Sequence, residues 1–390
     1  MHEALRIPGR LLEAFLSSRL GRWAVKGPWQ APLLLIGIVV LFSFPSYDVA
    51  LVLHEMDDNW KGVFTQVDAP FTDHTAQYPG ESHSGKLAYR FVSALLLRAL
   101  GVRTMQGAMI VQFVLMMAFH ALLYHVLLQL LRDPRQALAT ALPFCFVIAG
   151  HVYASDYRGI FDTLALDFLL LAILLRRTVW VIPALLLACF TDERALMASP
   201  AIVLLNVFLN EKDRSMGSMI RGLWSRTAFL IVAAWALYFG LRFSLGAVFG
   251  LRTESVDLWH YFKQNIPRLG YGLYIGLEGL YILAGLAAAF FVRERRFTFL
   301  FAFVGCALLL HFFALSVVDI NRSLSYLAPW LVLLMVIVVR SYPWTTVVQA
   351  LGWSIAVSFV YTDFWPLPVQ LFRMAYVTRS LLPWEAWVAP

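Results

Sequence analysis

Four acidic residues follow the first apolar stretch of the chain, within and just after "LHEMDDNWKGVF" (53–64). They are Glu55, Asp57, Asp58 and Asp68. A carboxylate in this position has the chemistry of a general base, which takes a proton from an attacking hydroxyl group. Asp57 is the first candidate for such a catalytic residue and Asp58 is the second, with Glu55 in support. The competing interpretation is that these are solvated acids at the end of a helix.

Arginines stand beside acids in several short connectors between apolar segments. The groups are Asp156/Arg158/Asp162, Asp192/Glu193/Arg194 and Asp319/Arg322. Arginine suits a phosphate because its planar guanidinium binds two oxygens at once and stays charged in a partly apolar site. We therefore predict that these arginines bind a phosphate-bearing substrate and that the acids beside them support the site. Ion pairs that only cap helix ends are the alternative.

Three further charged residues are candidates for the same site. Arg90 lies in "LAYRFVSALLLRALGVRT" (87–104), whose apolar residues recur at helical spacing. That spacing predicts an amphipathic helix in the membrane interface. Arg242 and Glu278 lie inside apolar segments, where a charge is costly and usually marks a site. We expect both arginines to bind phosphate and Glu278 to support them, whereas a buried Arg242–Glu278 ion pair is the alternative.

The composition indicates what kind of molecule carries these residues. The chain is 60% hydrophobic and only 14% charged, with a mean hydropathy of +0.71, whereas a soluble domain carries about 25% charged residues. The net charge of +7 comes from short basic runs between apolar segments, which is the positive-inside pattern of a membrane protein rather than of a nucleic-acid binder. Cys145, Cys189 and Cys306 fall inside apolar runs, so we expect them to be small core residues.

The apolar runs predict an all-α fold, a polytopic transmembrane helical bundle. A helix needs about 20 apolar residues to cross the hydrocarbon layer. Eleven segments are predicted to be spans: 31–53, 105–131, 137–153, 160–175, 179–191, 195–209, 227–249, 271–292, 297–318, 324–339 and 345–362. We divide the chain into an amphipathic N-terminal segment (1–29), a transmembrane bundle (30–362) that includes a long outer loop (54–104), and a tail (363–390).

The basic connectors predict the orientation of this bundle. They include "RDPR" (132–135), "RR" (176–177) and "RERR" (293–296), together with the basic residues of the N-terminal segment. Because such connectors stay in the cytoplasm, we expect a cytoplasmic N-terminus and a periplasmic C-terminus in a bacterial inner membrane. The few acids on the cytoplasmic side are Glu3, Glu13, Asp133, Glu211, Asp213 and Glu294. The remaining acids, out of 24 in the chain, gather at the outer face and predict one polar site there.

This organisation resembles the membrane module of the GT-C superfamily of glycosyltransferases. The resemblance covers residues 30–340 and rests on the first span, the acids "EMDD" (55–58), the long outer loop with its interfacial helix, and about a dozen spans. It implies transfer of a sugar from a polyprenyl-phosphate-linked donor to a hydroxyl of a glycan or lipid-linked acceptor. It also implies that Asp57 or Asp58 acts as base on that hydroxyl or orients it.

Other functions remain open from the sequence. A lipid-linked glycan polymerase or ligase would have a similar number of spans and similar outer arginines. A transporter or flippase for a lipid-linked or anionic substrate is a third reading, although the chain has no clear internal repeat. No cofactor is predicted: Asp57 and Asp58 have the chemistry to bind a divalent cation, but no histidine spacing supports a metal site. The absence of a P-loop, a G-x-G-x-x-G motif and a nucleophile elbow disfavours enzymes that use ATP or a cytosolic nucleotide sugar.

Overall fold

The computed structural model describes residues 4–43, 58–72, 88–155, 161–210, 216–251, 258–317 and 319–361. Every regular element in these ranges is helical. The first α-helices are α1 (Ile7–Ser17), α2 (Arg19–Ala24), α3 (Gln30–Phe42), α4 (Asp58–Asp68), α5 (Phe91–Ala99), α6 (Met105–Leu131), α7 (Pro134–Ala141), α8 (Ile148–Ser155), α9 (Asp162–Leu175) and α10 (Val181–Thr191). The others are α11 (Arg194–Ala198), α12 (Pro200–Asn210), α13 (Met216–Leu223), α14 (Arg226–Phe249), α15 (Leu258–Asn265), α16 (Leu269–Leu277), α17 (Tyr281–Arg293), α18 (Phe297–Leu315), α19 (Ile320–Leu324), α20 (Ala328–Ser341) and α21 (Trp344–Tyr361).

Five helical stretches in the described ranges are long and apolar enough to cross a membrane. They are Met105–Leu131, Arg226–Phe249, Leu258–Arg293, Phe297–Leu315 and Ile320–Ser341. Shorter apolar helices are Gln30–Phe42, Val181–Thr191, Arg194–Asn210 and Trp344–Val360. The expected all-helical, membrane-type architecture is therefore present, but the described residues do not establish eleven full crossings.

The predicted span 137–153 is interrupted. α7 passes into a 3-10 turn at Leu142–Phe146, and α8 starts only after an extended residue, Val147. Pro143 lies in that turn, and proline both lacks a backbone N–H and clashes with the preceding turn of an α-helix. The chain then folds back so closely that a Cβ atom on Gly150 would lie 1.8 Å from the carbonyl oxygen of Phe144, which only glycine permits.

A second interruption lies at Glu278, between α16 and α17. Glu278 has a φ of 47°, a conformation that a non-glycine residue adopts only where its surroundings impose it. Its carboxylate accepts a hydrogen bond of 3.1 Å from the backbone N–H of Ile148, the first residue of α8. That N–H belongs to the first turn of a helix and has no partner within the helix. The carboxylate at one helix break therefore accepts a hydrogen bond from the first backbone N–H of the helix that starts at the other break.

The N-terminal helix packs on the protein. α1 lies against α21, where a Cβ atom on Gly352 would come within 2.5 Å of the backbone of Pro8, and the indole of Trp353 donates to the carbonyl of Leu5. Leu12 and Leu16 are buried, whereas Leu11 is exposed. Contact with α21 thus explains part of the amphipathic pattern of residues 1–29, and their location in the membrane interface stays a prediction.

The buried helix α20 lies at the centre of the bundle, and the ends of its neighbours gather around its two ends. Near its start lie the beginning of α9 (Asp162), the connector between α10 and α11 (Asp192 to Arg194) and the short helix α19. Near its other end lie the last residues of α6 and α9. The apolar helices therefore separate two polar regions, and the first of these contains most of the predicted site residues.

Candidate functional site

Seven charged side chains from four segments form one network, which we call the arginine–carboxylate cluster. Its members are Arg90, Asp162, Asp192, Glu193, Arg194, Asp319 and Arg322. They lie at helix ends because each acid–arginine group sits in a short connector between apolar helices. All seven were predicted from the sequence to belong to one site, and the structure brings them into contact.

Asp192 is a fully buried carboxylate between two arginines. Arg194 donates to both of its oxygens, at 2.8 and 2.6 Å, and a guanidinium nitrogen of Arg90 lies 3.1 Å away. Burial alone would raise the pKa of Asp192, but the positive charges of Arg194 and Arg90 lower it below its ordinary value. The carboxylate therefore stays ionised and holds both arginines.

Asp162 is the second fully buried carboxylate of the cluster. It accepts hydrogen bonds from Arg194 at 2.9 Å, from Arg322 at 2.6 Å and from the hydroxyl of Tyr326 at 3.1 Å. As the first residue of α9, it also lies at the positive end of a helix dipole, which favours a negative charge. One carboxylate thus joins α9, α11, α19 and the segment that leads into α20.

Arg90 and Glu193 form the side of the cluster nearest to α5. Arg90 donates to both oxygens of Glu193, at 2.9 and 2.6 Å. Burial alone would lower the pKa of Arg90, but the charges of Asp192 and Glu193 raise it above its ordinary value. The side chain of Glu193 is 46% exposed and that of Asp319 is 50% exposed, whereas those of Asp162 and Asp192 are fully buried. The cluster therefore has buried carboxylates at its centre and exposed carboxylates at its edge.

The balance of charges in the cluster shows that its arginines already have acidic partners. Three arginines meet four carboxylates, so the fully ionised cluster carries one net negative charge. The guanidinium groups of Arg90, Arg194 and Arg322 all point at carboxylates, and Arg194 also donates to the hydroxyl of Ser323. These contacts fix the helix ends rigidly. The phosphate-binding role of these three arginines stays a prediction.

Arg242 has a different environment beside the cluster. Its guanidinium lies 4.4 Å from the ring centroid of Tyr89 and donates a hydrogen bond of 2.7 Å to the hydroxyl of Tyr238. It makes no ion pair with a carboxylate in the described part of the chain. Tyr238 also contacts Phe190, with ring centroids 4.9 Å apart, two residues before Asp192. Arg242 is therefore a cation held on aromatic faces at the border of the cluster.

Arg242 and Glu278 do not form the ion pair that was the alternative interpretation of these two residues. Arg242 contacts Tyr89 and Tyr238, and Glu278 binds the start of α8. The proximity of the two residues along the chain suggested neighbouring helices, but the break at Glu278 turns its carboxylate toward Ile148. Glu278 therefore contributes to the connection of two helices rather than to an ion pair with Arg242.

Several predicted site residues cannot be placed. Glu55, Asp57 and Arg158 lie outside the described residues, so the divalent-cation site suggested for Asp57 and Asp58 stays a prediction. Asp58 begins α4. In the ranges that the structure does describe, no three acidic, histidine or cysteine side chains are grouped as metal ligands. The three cysteines are free and buried, as expected.

Four polar residues of the site were missed. Tyr89, Tyr238, Ser323 and Tyr326 were not singled out, although they contact predicted arginines. Spacing offered a signal for one of them. Tyr238 precedes Arg242 by four residues on α14, which places the two on one helix face, whereas Tyr326 contacts Arg194 and Asp162, which are distant in the chain.

Comparisons with known proteins add no family to this picture. No family model matches the chain, and neither does a curated protein or a solved structure. The function must therefore be argued from the residues of the site.

Proposed function

We propose that this protein is a membrane glycosyltransferase that transfers a sugar from a polyprenyl-phosphate-linked donor to an acceptor hydroxyl at the periplasmic face. The proposal includes a GT-C-like bundle of about eleven spans with a cytoplasmic N-terminus and a periplasmic C-terminus. The observation that carries it is Arg242, a cation that rests on two tyrosines beside the cluster without a carboxylate partner in the described ranges.

Arg242 is the residue to which we assign the lipid phosphate. A guanidinium that is not already paired with an acid can offer its remaining donors to phosphate oxygens. Arg242 lies on α14, whose nearby side chains Phe239 and Phe243 are exposed, as expected of a helix in contact with lipid. A donor whose chain lies in the membrane would thus reach Arg242 from the hydrocarbon side, with its phosphate at the border of the polar site.

The arginine–carboxylate cluster has a positioning role in this proposal. Its buried ion pairs tie α9, α10, α11 and α19 to one another, and Arg90 ties the connector before α5 to the same network. Groups that are fixed before the substrate arrives stabilise a transition state better than groups that must reorganise. The exposed carboxylates of Glu193 and Asp319 give the rim a negative charge that suits sugar hydroxyl groups as hydrogen-bond donors.

The reaction needs one proton acceptor and one group that stabilises the leaving phosphate. The acceptor oxygen attacks the anomeric carbon of the donor sugar, and the bond between that carbon and the phosphate oxygen breaks. The bonding electrons leave with the phosphate, whose negative charge Arg242 stabilises. The hydroxyl proton passes to a carboxylate, and the GT-C resemblance places this role on Asp57.

Binding of undecaprenyl phosphate, the product-like lipid, tests the proposal. We expect native mass spectrometry of the detergent-solubilised protein to detect this lipid on the wild type. Arg242→Gln should weaken its binding by about tenfold or more, because a charge-assisted hydrogen bond contributes about 1.5–3 kcal/mol. Arg268→Gln is the matched control, since Arg268 is an exposed arginine that follows α15. Equal binding by all three proteins would contradict the assignment.

A second measurement separates transfer from transport. The lipid that copurifies with the protein is identified by mass spectrometry and then supplied, with its sugar, to proteoliposomes. We expect a new glycosidic bond in the extracted products and its loss in Asp57→Asn. Movement of the lipid between leaflets without any new bond would instead make the protein a flippase.

A further inference from the structure

A second polar site lies at the opposite end of the bundle. It is a cavity of about 370 Å³ that we call the arginine pocket. Its arginines are Arg132, Arg176, Arg177 and Arg340, at the ends of α6, α9 and α20. The positive-inside pattern predicts this end to be cytoplasmic. Nothing in the proposed glycosyl transfer uses it.

The four arginines of this pocket lack acidic partners among the residues that the structure describes. Arg176 donates to the carbonyl of Ile173 at 2.8 Å, Arg177 donates to the amide oxygen of Asn210 at 2.8 Å, and Arg340 donates to the carbonyl of Leu130 at 2.5 Å. No carboxylate pairs with any of the four in the described part of the chain. In the arginine–carboxylate cluster, by contrast, every arginine is paired with an acid. Four positive charges around one cavity repel one another unless an anion lies between them.

Among these four arginines, Arg176 has the least favourable environment for its positive charge. Its side chain is buried, and its Nε atom makes no hydrogen bond to a described residue. Burial and the positive charges of Arg177 and Arg340 together lower the pKa of Arg176 to about 10. A bound anion would oppose this lowering, since it would supply a negative charge and an acceptor for the unused donor.

The cavity walls indicate which anion fits. Next to the arginines, the lining has an apolar part, Leu130, Leu174 and Leu209, and two uncharged polar side chains, Gln129 and Thr178. The volume is much larger than a single phosphate ion requires, and it is in the range of small-ligand sites. Basic pockets between membrane helices at the cytoplasmic side are suited to the head groups of anionic lipids. Charged and apolar walls side by side match a phosphate group attached to a lipid.

We propose that the arginine pocket binds a phosphate group, with Arg132, Arg176, Arg177 and Arg340 as its ligands. Guanidinium groups recognise phosphate oxygens in pairs, and four of them surround the cavity. A lipid phosphodiester and a soluble phosphate share this chemistry. The competing interpretation is that these arginines only stabilise the C-terminal ends of helices, whose dipoles favour cations.

The test for a lipid source is native mass spectrometry of the full-length protein in a neutral detergent. Phosphatidylglycerol is the anionic probe, and phosphatidylcholine is the zwitterionic control. We expect the wild type to retain phosphatidylglycerol preferentially and Arg176→Gln/Arg340→Gln to retain it about tenfold less or weaker still. Arg221→Gln, an exposed arginine of α13 at the same end, should behave as the wild type.

Inorganic phosphate tests the soluble source. Its effect on the thermal unfolding of the same proteins is compared with that of chloride at matched ionic strength. A phosphate-specific stabilisation of the wild type that the double variant lacks would support the proposal with a soluble ligand. Loss of lipid retention without any phosphate effect would support it with a lipid. If neither measurement distinguishes the double variant from Arg221→Gln, the arginines only cap helix ends and the proposal is overturned.

A second variant protects the test against a folding defect. Arg132 and Arg177 have exposed side chains, so Arg132→Gln/Arg177→Gln removes two charges without opening a buried site. We expect it to elute as one species in size-exclusion chromatography and to lose lipid or phosphate binding in the same direction. Unchanged binding in a folded protein would overturn the proposal.

Discussion

Two aspartates on one helix show how much a buried acid depends on its partners. Asp162 and Asp167 both lie on α9 and are both buried. Asp162 contacts two arginines and a tyrosine, whereas neither carboxylate oxygen of Asp167 has a hydrogen-bond partner among the described residues. The same residue type on the same helix therefore has two different roles.

The same substitution at both positions separates these roles. Asp162→Asn removes the charge that two buried arginines share, which is expected to cost about 3–5 kcal/mol of unfolding free energy. Asp167→Asn keeps the shape of a side chain that has no hydrogen-bond partner among the described residues, so its stability should stay within about 0.5 kcal/mol of the wild type. Thermal unfolding in detergent measures both. Equal destabilisation by the two variants would mean that the contacts of Asp162 do not hold the cluster together.

Replacement by lysine distinguishes the structural role of Arg194 from the phosphate-binding role proposed for Arg242. Arg194 uses its planar fork on Asp192 and also reaches Asp162 and Ser323. A lysine cannot reproduce that set of contacts, so Arg194→Lys should lower the stability by about 1–3 kcal/mol. Arg242→Lys keeps a cation on the tyrosine rings, so it should stay as stable as the wild type but bind undecaprenyl phosphate more weakly. Stability comes from thermal unfolding, and binding comes from native mass spectrometry. A stable Arg194→Lys together with an unstable Arg242→Lys would reverse these roles.

At the scale of elements, the sequence predicted the uninterrupted helices well. The predicted spans 105–131, 227–249 and 297–318 correspond to α6, α14 and α18, because each is a long apolar run without an internal proline. The interruptions near Pro143 and at Glu278 were not predicted. A hydropathy pattern shows which residues are buried in an apolar medium. The residues on both sides of a helix break are equally apolar, so the pattern does not reveal the break. The break at Glu278 depends on a partner in another helix, which local sequence does not contain.

Glu278 therefore offers a test of how the two broken segments are joined. Its carboxylate accepts from the N–H of Ile148. Glu278→Gln retains an oxygen that can accept this bond and should change the stability little. Glu278→Leu leaves a buried N–H without an acceptor, at a cost of about 1–3 kcal/mol. The two melting temperatures should differ accordingly, whereas equally stable variants would show that the bond is dispensable.

The seven charged residues of the arginine–carboxylate cluster were all among the predicted site residues, but their pairing was not predictable. The acid–arginine groups around Asp162, Asp192 and Asp319 were expected at one face because alternating basic connectors placed them there. Which acid contacts which arginine depends on side chains more than 100 residues apart in the chain, such as Arg90 and Glu193. Composition and spacing contain no information about such distant pairs. For the same reason the aromatic support of Arg242 by Tyr89 appears only in the folded protein.

At the scale of the whole molecule, the same helices connect the two polar ends. α9 starts at Asp162 in the cluster and ends next to Arg176 in the arginine pocket, and α20 runs from the vicinity of Tyr326 to Arg340. Each has 14 residues and is about 21 Å long at 1.5 Å per residue. That is less than the thickness of about 30 Å of a hydrocarbon layer. In a membrane that these helices cross, we therefore expect both charged sites near or inside the borders of the hydrocarbon layer, where ion pairs and bound anions have the most effect.

The opposite charge of the two ends predicts the orientation of the protein. In the described ranges, the arginine pocket has four arginines and no acid in its lining, and the cluster has more acids than arginines. Since basic residues stay in the cytoplasm, the pocket should face inward and the cluster outward. Thr72 follows α4, and the end of α4 contacts Arg98 and Arg103 at the cluster end of the bundle. Arg221 lies on α13, which follows Asn210 at the pocket end. Both side chains are exposed.

Cysteines at these two positions report the orientation with little background, because Cys145, Cys189 and Cys306 are all buried. An impermeant maleimide added to intact cells should label Thr72→Cys and leave Arg221→Cys unlabelled, and both should react after the membrane is permeabilised. Labelling of Arg221→Cys alone would place the cluster in the cytoplasm, where an undecaprenyl-phosphate-linked sugar at the periplasmic face cannot reach Arg242. The orientation thus decides whether the proposed donor and the proposed site lie on the same side of the membrane.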